Sequence, residues 1–321
     1  GWLFGAEEEW VAKIKSELEK DGFSQVHLVK KQAGFDGKFP GLRKPNPEEP
    51  EVFRIAEREA LQEHADLMIA TDPDSDRIGA GVICDSKAFF FTGNQIGALL
   101  ADFLSRQGSV KGKIMVTTVV TGDLGSRIVT SRGATVIHTL TGSKFVCEEM
   151  NHMEAGEFLL GYEESHGYIG GMHIRDKDGV LAAMLLCETA AWHKTQGKTL
   201  LDALEDLYQE YGYYIDEQDS FVFEGAKGAK IMARLRSRRG SVFAPLGKPD
   251  KMLDYEKGVD ELPRSNVLKF FFPNGSWVAV RPSGTEPKIK FYYCIRGKDQ
   301  RQAEDLYEAV QNSVEEFLRT F

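Results

Sequence analysis

The segment Thr71-Asp72-Pro73-Asp74-Ser75-Asp76-Arg77 sets carboxylates at every second position of a proline-stiffened turn. It follows an apolar run, 65–70, that reads as a buried strand. Hard divalent cations take oxygen ligands, and Mg2+ takes a few protein carboxylates together with a phosphate oxygen from elsewhere. Loops at the carboxyl ends of strands are where ligand sites collect in α/β sheets. An EF-hand does not fit, because Arg77 and Ile83 stand where that loop needs Gly and Glu. The competing reading is a solvated acidic turn. Three Asp in register, with a Pro between them and an Arg directly after, favour a metal site made of Asp72, Asp74 and Asp76.

Three more stretches carry chemistry. Gly161-Tyr162-Glu163-Glu164-Ser165-His166-Gly167-Tyr168 follows a short apolar strand. Glu163 and Ser165, two apart on a glycine-flanked loop, can face the same way and hydrogen-bond neighbouring sugar hydroxyls, although alone they read more readily as ordinary loop residues. His166, with aromatic residues around it, reads as packed rather than catalytic. His173-Ile174-Arg175-Asp176-Lys177-Asp178-Gly179 puts two cations at the start of an apolar helix, where the dipole favours anions. A bound phosphate explains them, and so does a solvated charge run offset by Asp176 and Asp178. Arg281-Pro282-Ser283-Gly284-Thr285-Glu286-Pro287-Lys288 combines a guanidinium suited to phosphate, two hydroxyls, an approachable Gly backbone and a Lys. It lacks the Gly-Lys-Ser/Thr of a Walker loop, and a plain Ser-Gly turn is the alternative. A cation site, a hydroxyl-reading loop and an anion cradle on one chain together suggest a phosphorylated sugar.

The elements that must position these loops alternate. Strands are expected at 26–29, 67–71 and 78–84, with helices at 7–20 and 52–64 and a turn-rich span at 34–50. A second series follows: helix 94–106, strand 114–118, helix 124–132, strand 135–138, helix 144–154 and strand 158–161. Long helices cover 177–193 and 199–211. Such alternation predicts mostly parallel sheets covered by helices. After Tyr213 the texture becomes β-rich, with strands at 220–223, 267–272, 277–280 and 289–295. A last helix begins after Asp299 as N-cap, and its stripe Ala303, Leu306, Tyr307, Val310, Val314, Phe317 and Leu318 has core-packing spacing. The fold class is therefore α/β, with successive mixed or parallel-sheet α/β domains followed by a C-terminal α+β domain.

A chain of 321 residues exceeds one ordinary core and implies two or three domains. A net charge of -9 argues against a general nucleic-acid binder. Cys84, Cys147, Cys187 and Cys294 are far apart with no Cys-x-x-Cys, as expected of free thiols in a reducing cytoplasm. No apolar run is long enough to span a membrane and no signal peptide is visible. The chain opens at Gly1 without an initiator Met, so it reads as a piece of something longer, with a tag remnant or a cut point both fitting.

The loops 71–77, 161–168 and 281–288, in that order and on those elements, resemble the α-D-phosphohexomutase superfamily, whose main members are phosphoglucomutases and phosphomannomutases. The resemblance extends through 32–40, Pro45-Asn46-Pro47-Glu48, Thr92-Gly93-Asn94-Gln95 and Thr121-Gly122-Asp123-Leu124-Gly125. It implies four-domain enzymes that move phosphate between O1 and O6 of a hexose through a phosphoserine and a glucose 1,6-bisphosphate intermediate. On this resemblance Asp72, Asp74 and Asp76 hold Mg2+, and Arg77 lies beside the transferring phosphate. Glu163 and Ser165 bind the sugar's O3 and O4, joined by Lys144 of Thr141-Gly142-Ser143-Lys144-Phe145. Arg175 and Lys177 approach the phosphates, Lys177 assisting proton transfer. Arg281, Ser283, Gly284, Thr285 and Lys288 anchor the phosphate that is not reacting.

Departures from the family pattern shape the expectation. No Thr-Ala-Ser-His-Asn-Pro loop, the family's phosphoserine segment, occurs in the chain. Ser143 stands where members often carry a large apolar residue, and His166 where they carry an aromatic residue or Gly. The chain thus resembles a partial domain II (1–92), domain III (93–213) and domain IV (214–321), with the N-terminal domain of the same polypeptide as its missing partner. A glucose-type mutase that is inactive without that domain is the expected function. Phosphomannomutase, phosphopentomutase, a non-catalytic sugar-phosphate or Mg2+ module, and a phosphatase using Asp72 or Asp74 as nucleophile are the rivals.

Overall fold

In a computed structural model the chain divides into two compact units, Gly1–Asp206 and Leu207–Phe321. The structure describes residues 42–154, 156–223, 227–283 and 287–321, with short pieces between 2 and 39.

The first unit holds two four-stranded sheets. One runs β1 (Trp2–Leu3), β2 (Met68–Thr71), β3 (Ile78–Cys84) and β4 (Lys87–Phe91), parallel between β1 and β2 and antiparallel beyond. All four residues of β2 are buried. Behind them, a 3-10 turn Pro50–Phe53 leads into α1 (Arg54–Glu63), and Val52, Phe53, Ala56 and Ala60 pack with Met68 and Ala70. Helix α2 (Gly93–Arg106) starts at a reciprocal cap, in which Gln95 N donates to Thr92 Oγ1 and Thr92 N donates to Gln95 Oε1.

The second sheet comprises β5 (Ile114–Thr118), β6 (Thr135–Thr139), β7 (Phe158–Glu163) and β8 (Gly167–Ile169) in the order β6-β5-β7-β8. Its first three strands are parallel and β8 turns back antiparallel on β7. Helices α3 (Asp123–Ser131), α4 (Ser143–Met150) and α5 (Gly179–Lys194) follow the expected alternation. The unit boundary falls inside α6 (Leu200–Tyr211).

The second unit is an antiparallel sheet in the order β10-β11-β12-β13-β9, from β9 (Tyr213–Val222), β10 (Lys251–Asp254), β11 (Leu268–Phe271), β12 (Trp277–Pro282) and β13 (Lys288–Gly297). Helices α7 (Lys227–Arg238) and α8 (Gln300–Leu318) bury Ile231, Leu235, Val310 and Val314 with Phe270 and Phe291 of the sheet. Asp299 caps α8 by accepting from Gln302 N at 2.8 Å, as its sequence predicts.

Several expectations are corrected. Residues 26–29 form no strand among the described residues. Helix α4 stops at Met150 rather than 154, and α5 begins at Gly179, capped by Asp178, rather than at 177. Strand β9 is ten residues long because β13 pairs it residue by residue, which overrides the poor β-propensity of Asp216-Glu217-Gln218-Asp219. Helix α7 is new: its cations mask the buried triplet Ile231, Met232 and Leu235. The expected helix 7–20 is helical where described, at 15–16 and 18–20. Its other residues lie outside the described ones.

Candidate active site

The acidic loop is the connection of a hairpin, since Thr71 pairs with Ile78 across β2 and β3. Asp72, Asp74 and Asp76 come together, with one carboxylate oxygen of each within 4.8 Å of the others. Asp72 is buried, Asp76 half-buried and Asp74 exposed. Arg77 folds back on the loop. Its backbone N donates to Asp72 Oδ1 at 3.1 Å and its Nε to Asp72 Oδ2 at 2.7 Å. Ser75 adopts a left-handed backbone (φ 55°), uncommon for a residue with a side chain, and its carbonyl accepts from Gly179 N at 2.9 Å.

Electrostatics divide the carboxylates. Burial, and then the neighbouring Asp76 carboxyl, push Asp72 up to about 6 against the pull of Arg77. Burial would also raise Asp76, but Lys177 and Asp72 hold it below the usual carboxylate range. Lys177 Nζ contacts Asp76 Oδ2, while Asp76 Oδ1 is buried and accepts no hydrogen bond. An all-oxygen donor set with one buried oxygen that accepts no hydrogen bond fits a hard divalent cation. The cation pair expected to mark a phosphate at the start of α5 thus resolves differently for its two members. Lys177 turns onto the acidic loop, and Arg175 is exposed, donating to Asn151 Oδ1 at 3.1 Å and to the Met172 carbonyl.

The second loop is fastened to the first. Ile78 N donates to the His166 carbonyl at 3.2 Å, His166 Nδ1 donates to the Ile78 carbonyl at 2.9 Å, and Arg77 forms an isolated antiparallel bridge with Gly167. Burial pushes the His166 imidazole below its ordinary value, so it stays neutral and serves as a clasp. Glu163, buried at the end of β7, accepts from Gly142 N at 2.8 Å, which brings the Lys144 loop alongside it. Lys144 itself is exposed, its ammonium 4.7 Å from the centre of the Phe145 ring. Ser165 is half-buried. Between them Glu164 points the other way, its Oε2 accepting from Thr118 Oγ1 and Thr121 Oγ1 at 3.3 and 3.4 Å.

Sequence reasoning gave these supports no role, although their segments stood out. Asn94 Oδ1 accepts from Gly122 N at 2.9 Å and Tyr168 OH donates to the Gly93 carbonyl at 3.0 Å. A Cβ at Gly93 would lie 2.2 Å from the Glu164 carbonyl oxygen, so only Gly allows that approach. Glu48, on the Pro-Asn-Pro-Glu segment, accepts from Arg77 Nη1 at 3.1 Å. In the second unit, Arg281 lies at the end of β12, Ser283 follows the strand directly and Lys288 opens β13, with Ser283 N donating to the Lys288 carbonyl at 2.8 Å. Gly284 and Thr285 lie outside the described residues.

Three family profiles match in sequence order. Residues 3–84 match phosphoglucomutase/phosphomannomutase alpha/beta/alpha domain II, 92–211 match alpha/beta/alpha domain III, and 222–313 match the C-terminal domain. The chain belongs to the phosphoglucomutase/phosphomannomutase family. A phosphoglucomutase of Staphylococcus haemolyticus (strain JCSC1435) is 35% identical over 321 residues, covering 94% of this chain and 58% of that protein. The chain therefore spans little more than half the length of the curated relatives it matches. Among solved structures, the Paramecium pp63/parafusin phosphoglucomutase in its open form superposes with a TM-score of 0.74 at 23% identity, covering 98% of this chain and 56% of that one. A phosphomannomutase-type protein of Thermus thermophilus gives 0.67 at 21%, covering 99% and 61%. At such identities these two show the fold. All four cysteines of this family member are free thiols, and among the described residues no helix is long and apolar enough to cross a membrane.

Proposed function

We propose that this chain is the part of a phosphohexomutase that binds the metal and the hexose phosphate, serving the interconversion of glucose 1-phosphate and glucose 6-phosphate. The observation that carries the reading is the clasp between the acidic loop and the Glu163–Ser165 loop through Ile78 and His166. It fastens a cation-binding cluster to a hydroxyl-binding pair, an arrangement suited to a sugar phosphate. Asp72, Asp74 and Asp76 would hold Mg2+, which when bound supplies positive charge to a phosphoryl oxygen. Arg77 is held by its Nε on Asp72, beside the cluster, where its charge favours a phosphoryl group. Lys177, which contacts Asp76, would exchange a proton with a sugar hydroxyl. Glu163 and Ser165 would orient the ring through O3 and O4, with Lys144 and Arg175 on adjoining segments. The loop from Arg281 through Ser283, Gly284 and Thr285 to Lys288 would grip the second phosphate.

The phosphoserine and the bisphosphate intermediate belong to this proposal, with the phosphoryl donor supplied by a segment other than these 321 residues. So do the division into 1–92, 93–213 and 214–321 and a cytoplasmic site of action. Direct covalent relay needs that nucleophile, so the chain alone should not turn over substrate. Calorimetry with glucose 1,6-bisphosphate, run beside a coupled assay with glucose 1-phosphate, tests both halves. Mg2+-dependent binding without turnover is expected. Absence of binding refutes the site, turnover that survives repurification refutes the requirement for a separate donor, and tighter binding of mannose 1-phosphate than glucose 1-phosphate shifts the substrate to mannose.

A further inference from the structure

Glu48 reaches the acidic loop from a segment built independently of it. Pro45 and Pro47 fix the backbone φ on either side of Asn46. Asn46 Oδ1 accepts from Glu48 N at 3.2 Å, and the Asn46 carbonyl accepts from Glu49 N at 3.0 Å, so the turn locks itself. The turn then seats on β3, where a Cβ at Gly79 would lie only 2.2 Å from the Pro47 carbonyl oxygen. Glu48 is thereby presented to Arg77 as a fixed carboxylate 3.1 Å from Nη1.

The consequence concerns where the Arg77 charge falls. Arg77 lies on Asp72 at 2.7 Å and near Asp76 Oδ1 at 3.6 Å, so it competes with any cation for those same oxygens. Glu48 draws the far side of the guanidinium away from them. With Lys177 on Asp76, four carboxylates face two cations, leaving two negative charges for one divalent ion to match. Without Glu48 one of those charges disappears and Arg77 is left to the Asp oxygens alone. Both effects weaken cation binding.

We propose that Glu48 is a positioning residue which sets the divalent-cation affinity of the Asp72–Asp74–Asp76 cluster by sharing the Arg77 guanidinium, whose Nη1 it takes while Nε rests on Asp72. This rests on the metal reading above, and the experiment separates the two. The whole chain is titrated calorimetrically with MgCl2 and MnCl2, together with Glu48→Gln, Arg77→Met and the double variant, and each melting temperature is recorded without metal. Loss of an outer-shell partner typically weakens metal binding ten- to a hundredfold, and Glu48→Gln should lie near about tenfold. That loss should shrink in the Arg77→Met background to the part due to the missing carboxylate charge, because coupling marks residues that act through one another. Wild-type affinity in Glu48→Gln overturns the proposal, and so does an equal loss in both backgrounds. If Glu48→Gln melts before it can be titrated, Glu48→Asp, which keeps the charge but shortens the reach, should show the same direction of loss, and unchanged affinity there is equally decisive against it. A wild-type chain that binds neither ion removes the metal reading itself, and this role of Glu48 with it.

Discussion

Replacing Asp74 by Asn isolates what the acidic loop is for. Asp74 is exposed, and among the described residues its carboxylate makes no hydrogen bond or ion pair, so nothing in the fold depends on it. Its partners in the cluster lie within 4.8 Å, where two like charges in water repel by about 1 kcal/mol before salt screening. Asp74→Asn should therefore leave the metal-free chain as stable as before, or more stable by up to about 1 kcal/mol. The same change removes a ligand. A cation present at about a hundred times its Kd stabilises the form that binds it by about 2.7 kcal/mol, and the variant should lose most of that gain. Asp72→Ala is the contrast. Asp72 is 1% exposed and carries both bonds from Arg77, so removing its side chain should cost about 1.5–3 kcal/mol even without metal. Urea unfolding of the three chains, each with and without saturating MgCl2, gives the differences needed. An Asp74→Asn chain that keeps its Mg2+ stabilisation, or is weakened by more than about 1 kcal/mol without metal, refutes the reasoning.

Two further outcomes follow from charges in the same unit. Because burial raises Asp72 to about 6, the folded metal-free chain holds an extra proton between the ordinary carboxylate range and that value. Asp72 therefore contributes stability at low pH that is lost as pH rises through about 6, and Mg2+ binding near that pH should release a proton. Calorimetry in two buffers of different ionisation enthalpy reads the release, and identical heats would exclude it. Asp102, 1% exposed on α2, pairs with Arg106 Nε at 2.9 Å and with Arg132 Nη2, so Asp102→Ala leaves Arg132 without its carboxylate partner. A loss of about 3–5 kcal/mol is expected in urea unfolding, with no change in Mg2+ affinity once refolded at low temperature, and a loss under about 1 kcal/mol would show the pair to be incidental.

What the sequence determined by itself was the chemistry-bearing loops and most of the frame around them. Residue type and period suffice there: a Pro-stiffened run of Asp after a buried strand, a Gly-flanked Glu-x-Ser, and helices whose apolar stripes repeat every three or four residues. Asp299 capping α8 and the strand at 78–84 were legible for the same local reason. The tertiary structure decided what pairs with what. Lys177 belongs to Asp76 and Glu48 to Arg77 across separations that no local rule bridges, because those contacts depend on where β3, β8 and α5 are brought together. The first seven residues of strand β9 and the whole of helix α7 were hidden for the converse reason: polar or cationic side chains dominate there, and only pairing with β13 or burial of Ile231, Met232 and Leu235 makes the element stable. Composition records which groups a chain can offer. Their partners are fixed by packing, which acts between residues far apart in sequence and leaves little trace in any one of them.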